Sequence, residues 1–98
     1  MQRRMCNDYR QCWLCGANGF ADPLDRHHIF GGPNRKKSDS LGLVVDLCHF
    51  NCHIFGENAV HRNKDTMLLL HQYGQRRAME ENGWDTNRFI SEFGRNYL

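Results

Sequence analysis

Two short cysteine pairs and a group of histidines carry the residue types best suited to chemistry. Cys12-Trp-Leu-Cys15 is a C-x-x-C, and Cys48-His-Phe-Asn-Cys52 is a C-x-x-x-C that begins 33 residues after Cys15. A structural zinc ion takes four soft ligands in a closed tetrahedron, usually as two chelating pairs from separate segments, and Cys12, Cys15, Cys48 and Cys52 supply that set. Gly16 suits the tight turn that aims the first two sulfurs at one ion. The longer second spacing fits a first helical turn, where positions i and i+4 share a face; His49 is the alternative ligand to Cys52. Five cysteines is an odd number, and the remaining one, Cys6, reads as a free or half-buried thiol. With no sign of export, reduced thiols holding metal are expected rather than disulfides.

The histidines form a second constellation. His27 and His28 follow Asp25 and Arg26, while His53 and His61 come after the second cysteine pair. Polar neighbours make these positions unlike core, and together they can bring three or four imidazoles to one point. Neighbouring strand residues face opposite ways, so His27 and His28 share a site only at a strand end or irregularity, which Gly31-Gly32 provides. Arg35-Lys36-Lys37 is the densest basic run, fit to grip phosphates or simply to be solvated.

These residues need elements to hold them. Residues 1–11 carry Arg3, Arg4 and Arg10 and read as a basic arm or short helix. A strand is expected from Leu24 to Phe30, broken at Gly31-Gly32-Pro33-Asn34, and a second from Leu41 to Leu47, with the basic run in the loop between. From a cap near Asn63, a helix runs to about Gly83 with an apolar stripe through Leu69, Leu70 and Tyr73. A last helix, capped by Asp85 or Thr86, places Phe89, Ile90, Phe93 and Tyr97 on one face. Trp13, Phe20, Phe30, Phe50, Phe55 and Trp84 are expected in the core, without a functional role.

Composition agrees with a metal-dependent fold. At 98 residues there is room for one domain, 1–98, divided into the arm (1–11), the metal-binding part (12–62) and the terminal helices (63–98). Leu, Ile, Val and Phe total only 21, a thin core of the kind that metals commonly supplement. A net charge of +2 does not by itself announce nucleic acid. Four thiolates around one zinc bring it to 0, and a second divalent ion on neutral histidines restores +2. No apolar run reaches the roughly 18 residues of a membrane span, and a cytoplasmic location without membrane contact is expected.

Cys12-x-x-Cys15, Asp25-Arg-His27-His28-Ile29, Leu47-Cys48, Cys52-His53 and His61 together resemble the HNH, or ββα-metal, nucleases over about residues 12–61. The HHIFGG, NRKKS, VH and FGRNYL segments are most similar to small phage-borne HNH-like proteins, including the recombination-enhancement nucleases. The resemblance implies an α+β fold: a zinc-stabilised ββα-metal (His-Me finger) domain with a four-cysteine zinc knuckle and two C-terminal helices. It implies that His28 is the general base, that His27, His53 and His61 hold a catalytic Mg²⁺ or other divalent ion, and that Arg35, Lys36 and Lys37 contact DNA. No small-molecule cofactor is implied; the partners are DNA and, as a class, a recombinase or other phage or host protein. Two features depart from the family pattern. Leu43 stands where most HNH proteins have an asparagine that fixes the loop carrying the base or touches the metal; Asn34, Asn51 and Ser40 are the candidates to replace it. His53 and His61 are spaced H-x7-H instead of the common H-x3-H.

The expected function is metal-dependent hydrolysis of DNA phosphodiester bonds. The alternative is a catalytically inactive zinc-stabilised module that binds nucleic acid or a phage or host protein. A plain zinc ribbon leaves His27, His28, His53 and His61 unexplained and ranks last.

Overall fold

The computed structural model describes residues 10–98. Cys6 and the arm residues Arg3 and Arg4 lie outside the described residues. The order of elements is β1 (Leu24–His28), a 3₁₀ turn (Gly32–Asn34), α1 (Arg35–Ser40), β2 (Val44–Cys48), a π-helical turn (His49–Ile54), α2 (Lys64–Asn82) and α3 (Thr86–Phe93). This is a small α+β chain with a two-stranded sheet. The flanking bonds, Ile29 N–H to the Leu43 carbonyl (3.0 Å) and His49 N–H to the Pro23 carbonyl (2.8 Å), show that the strands run antiparallel. Among the described residues no helix is long and apolar enough to cross a membrane.

The chain forms two compact units. One joins the described residues up to His27 with Val45–Lys64; the other joins His28–Val44 with Asp65–Leu98. The first unit buries few large side chains. Cys12, Cys48, Cys52, Val45, Leu47, Ala59 and Val60 are its buried apolar residues, so three of seven are potential metal ligands. An interior that small gains little from hydrophobic burial alone, and metal binding would supply much of its folding free energy.

The second unit has an aromatic core. The Phe30 ring lies 4.6 Å from Phe93, 5.7 Å from Phe89 and 5.6 Å from Tyr97, and it stacks on His71 at 5.4 Å. Asp85 caps α3 by accepting from Arg88 N–H (2.8 Å), and Gly94, at φ +91°, ends it in the left-handed conformation that suits glycine. Phe89 and Phe93 point into this core; Ile90, expected with them, is at its rim and exposed. In α2 the buried stripe is Thr66, Leu70, Gly74 and Ala78, instead of Leu69, Leu70 and Tyr73. Leu69 is exposed and Tyr73 half-buried. The stripe is small because the strand's end presses into it. A Cβ on Gly74 would lie 2.4 Å from Ile29 Cγ2 and 3.0 Å from the Phe30 ring, so a side chain there would force Ile29 to shift. Buried Gln75 closes the unit by donating to Asn96 Oδ1 (2.7 Å) and accepting from Tyr97 N–H (2.7 Å).

The connection between the strands differs from the expected loop. Arg35-Lys36-Lys37 opens α1, and the strands are shorter than their apolar runs because Ser38 draws the chain into a helical turn. Buried Ser38 donates its hydroxyl to the Leu43 carbonyl (2.6 Å) and accepts from Phe30 N–H (3.3 Å), while its own carbonyl accepts from Leu43 N–H (2.8 Å). One serine therefore joins Phe30, two residues past β1, to Leu43, the residue before β2.

Candidate metal centres

The first centre is built as the cysteine spacing predicts. Gly16, at φ +81°, reverses the chain so that its N–H bonds back to the Cys12 carbonyl (2.9 Å). Cys12 also pairs in parallel with Asp46 of β2, which brings the knuckle to the strand ending in Cys48. The second pair sits on a π-helical turn in place of an ordinary first helical turn; Asp22 starts that turn by accepting from Phe50 N–H (3.0 Å) and Asn51 N–H (2.9 Å). The ligand sulfurs of Cys12, Cys15, Cys48 and Cys52 all lie within 4.8 Å of one another, and Cys15 Sγ is 3.6 Å from Cys48 Sγ. A tetrahedron with Zn–S bonds of about 2.3 Å has edges of about 3.8 Å, so the set fits zinc.

The electrostatics of the four sulfurs are uneven. Burial pushes the Cys12 thiol up, but hydrogen bonds from the backbone N–H groups of Cys15, Cys48 and Leu14, and from Cys52, outweigh it and bring it to about 7. Burial, followed by the neighbouring Cys15 and Cys12 sulfurs, drives Cys48 up to about 12 and raises Cys52 as well. One thiolate is thus favoured by the protein alone, and a cation is needed to hold the others deprotonated.

The second centre contains His27, His53 and His61, whose ring nitrogens also fall within 4.8 Å of one another. His27 Nε2 is buried, and its ring meets His53 at 5.0 Å and His61 at 5.4 Å, both edge-on. The wide H-x7-H spacing is absorbed by a fold-back at Gly56. A Cβ there would lie 1.8 Å from the Asn51 carbonyl oxygen, so only glycine closes the turn. Val60 N–H then bonds the Cys52 carbonyl (2.9 Å) and His61 N–H the His53 carbonyl (3.2 Å), setting the two histidines side by side. Their Nε2 atoms are 3.2 Å apart, close to the edge of about 3.4 Å expected for two imidazoles on one tetrahedral ion.

Asp25 completes this centre, and its role was not read from the sequence. Its Oδ2 accepts from His53 Nδ1–H (2.9 Å) and from His49 Nδ1–H. A carboxylate only accepts, so the proton is on Nδ1 of His53 and the lone pair on Nε2 faces His61; this carboxylate–histidine arrangement typically orients metal ligands. Hydrogen bonds from His53 and His49 hold Asp25 below the usual carboxylate range. Although His61 is exposed as a residue, partial burial of its ring and the neighbouring His53 lower its pKa, favouring the neutral form that binds metal. The sequence signal was Asp25 two positions before His27, at strand spacing on the same side.

His28 is not in this cluster. Its Nε2 lies 3.3 Å from Asp39 Oδ1, within the second unit. Of the basic run, Arg35 and Lys36 are exposed, but Lys37 is engaged: its ammonium donates to the Glu92 carbonyl, lies 3.4 Å from the Glu92 carboxylate and sits over the Phe93 ring. Lys37 therefore fastens α1 to α3 and is not a free phosphate contact. Asn34 donates to the Phe93 carbonyl, Asn51 to Cys52 Sγ beside the first centre, and Ser40 to the Lys37 carbonyl. The connection between the strands is tied by Ser38, through Phe30 N–H and the Leu43 carbonyl. The aromatic expectation is corrected too: of the six residues only Phe30 is buried, whereas Phe20, Phe50 and Phe55 are exposed. Compared with family models, curated proteins and solved structures, the chain matches none.

Proposed function

We propose that the protein is a metal-dependent DNA endonuclease of HNH type, with zinc on the four cysteines and a second divalent ion on His27, His53 and His61. The observation that carries this reading is the convergence of three imidazoles from separate segments, one of them oriented by Asp25, beside a closed four-sulfur set. A closed tetrahedron is structural, whereas three ligands leave positions for phosphate and water. The donor set favours Zn²⁺, Co²⁺ or Ni²⁺ over Mg²⁺, which prefers oxygen ligands. Such an ion, when bound, supplies positive charge for the scissile phosphate and the leaving 3′ oxygen.

The chain's own residues do the rest. Asp25 holds His53 in the tautomer that presents Nε2. His28, next to His27 in β1, donates Nε2–H to Asp39 and so keeps its lone pair on Nδ1, where it takes a proton from the attacking water. Arg35 and Lys36 contact flanking phosphates. The products are 5′-phosphate and 3′-hydroxyl ends.

One observation favours a second reading, binding without cleavage. Leu43, at the position of the usual asparagine, is 0% exposed and offers no polar side chain. The two readings are separated by incubating zinc-loaded protein with supercoiled and single-stranded DNA and Mg²⁺, Mn²⁺, Co²⁺, Ni²⁺ or added Zn²⁺. Ion-dependent nicks with ligatable 5′-phosphate ends are expected; retention of DNA without nicks under every ion selects the binding module.

A further inference from the structure

Two large apolar rings in the first unit stand open to solvent next to the histidine cluster. Phe50 is 55% and Phe55 58% exposed, and their rings stack on each other at 5.9 Å with 19° between planes. Hydrogen bonds fix the backbone that carries the pair. Phe55 N–H bonds the Phe50 carbonyl (2.8 Å), Asp22 accepts from Phe50 N–H, and the Gly56 turn admits no side chain. The pair is also connected to the candidate ion site, because the His49 ring meets Phe50 edge-on at 4.5 Å and donates to the same Asp25 oxygen that orients His53. Arg62 donates to the Phe55 carbonyl (2.7 Å), holding a guanidinium at the backbone of the pair.

We propose that Phe50 and Phe55 form a stacking platform for one unpaired base of a DNA strand whose backbone passes the His27–His53–His61 cluster. Two phenyl rings are too small to seat a folded protein, which takes about 800 Å² per partner, but they match the flat face of a single nucleobase. Arg62 complements a neighbouring phosphate. Bases inside a duplex have both faces covered by neighbours, so the platform selects single-stranded or locally unpaired DNA. This rests on the nuclease reading for the position of the backbone and adds the substrate class to it.

The test is equilibrium binding of the full zinc-loaded chain, without a second ion, to a fluorescein-labelled single-stranded oligodeoxynucleotide and to the same sequence as a duplex. Phe55→Ala and Phe50→Ala should each bind the single strand about 5- to 150-fold more weakly, the range for loss of one base–aromatic stack, with duplex binding unchanged. Phe55→Trp should keep the affinity, its fluorescence quenched on binding, and Phe55→Leu should lose as much as Phe55→Ala. All variants should melt as the wild type does, since both side chains are exposed. The proposal is overturned if Phe55→Leu binds like the wild type, if single-strand and duplex affinities fall together, or if the alanine variants only abolish self-association. Ring-dependent single-strand binding without cleavage under any ion keeps the platform and removes the nuclease reading; nicking by the wild type with ring-independent binding does the reverse.

Discussion

Replacing Ser38 by alanine removes one oxygen from a site with 0% exposure and separates the fates of two backbone groups. The Leu43 carbonyl loses the Ser38 hydroxyl but keeps Ile29 N–H at 3.0 Å. Phe30 N–H donates to Ser38 Oγ (3.3 Å) and is left buried among aromatic rings. An orphaned buried donor costs about 1–3 kcal/mol, and the lost bond to a carbonyl that retains a partner adds little, so a destabilisation of about 2 kcal/mol is expected. A 98-residue chain has about 5–15 kcal/mol of stability in total, and at about 4–8 °C per kcal/mol the melting midpoint should fall by about 8–16 °C. The assay is urea unfolding at fixed saturating zinc, with the m-value checked for constancy. Faster amide exchange at Phe30 should accompany the loss. A Ser38→Ala protein within about 0.3 kcal/mol of the wild type would refute the assignment of Ser38 as the tie between the strands.

Further outcomes follow from the same geometry. Removing zinc with a chelator, or substituting Cys48→Ala, should unfold the first unit, because binding worth on the order of 10–16 kcal/mol in small zinc domains is also folding free energy; circular dichroism with elemental analysis reads this, and a zinc-free protein with an unchanged melt would contradict it. Gly74→Ala should destabilise by about 1–2 kcal/mol in thermal melts despite a helix-propensity gain of about 1 kcal/mol, since its Cβ meets Ile29 and Phe30 in a filled core. Burial, then Arg95, lowers the pKa of His71, with a hydrogen bond at the Ile29 backbone opposing. The unfolded chain then binds more protons than the folded one below about pH 6.5, so the His71 contribution is full above that pH and lost as pH falls toward the folded value. His71→Phe, which keeps the stack on Phe30, should flatten the wild-type fall in stability between pH 7 and 5; parallel curves would remove His71 from the account.

Short-range spacing made the four cysteines legible, because two chelating pairs leave few ways to place four sulfurs, and the structure brings all four together. The apolar spacing of Phe89 and Phe93 and the capping Asp85 likewise announced α3. What escaped the sequence depends on contacts distant along the chain. Nothing near Arg35-Lys36-Lys37 signals that Glu92 and Phe93 engage Lys37, or that Ser38 bridges Phe30 and Leu43 and so turns the expected loop into α1. The exposed Phe50–Phe55 pair was read as core on residue type, although the glycine following it already marked a turn at the surface. Asp25 was visible in the motif, but its partner His49 looked like a spare ligand to the cysteine site until the π-helical turn showed which way it faced.

The most direct measurement of the central claim is nicking of supercoiled DNA by the wild type, His28→Ala and His53→Ala across a titration of the second ion at constant zinc. His28→Ala should fold, retain both ions and lose about 10²–10⁴-fold in rate at every ion concentration, as expected for removal of a general base. His53→Ala should lose activity through weaker ion binding and recover part of it as the ion concentration rises. Wild-type protein that binds DNA but nicks it with none of the ions, or a His28→Ala protein that nicks at the wild-type rate, would contradict the account.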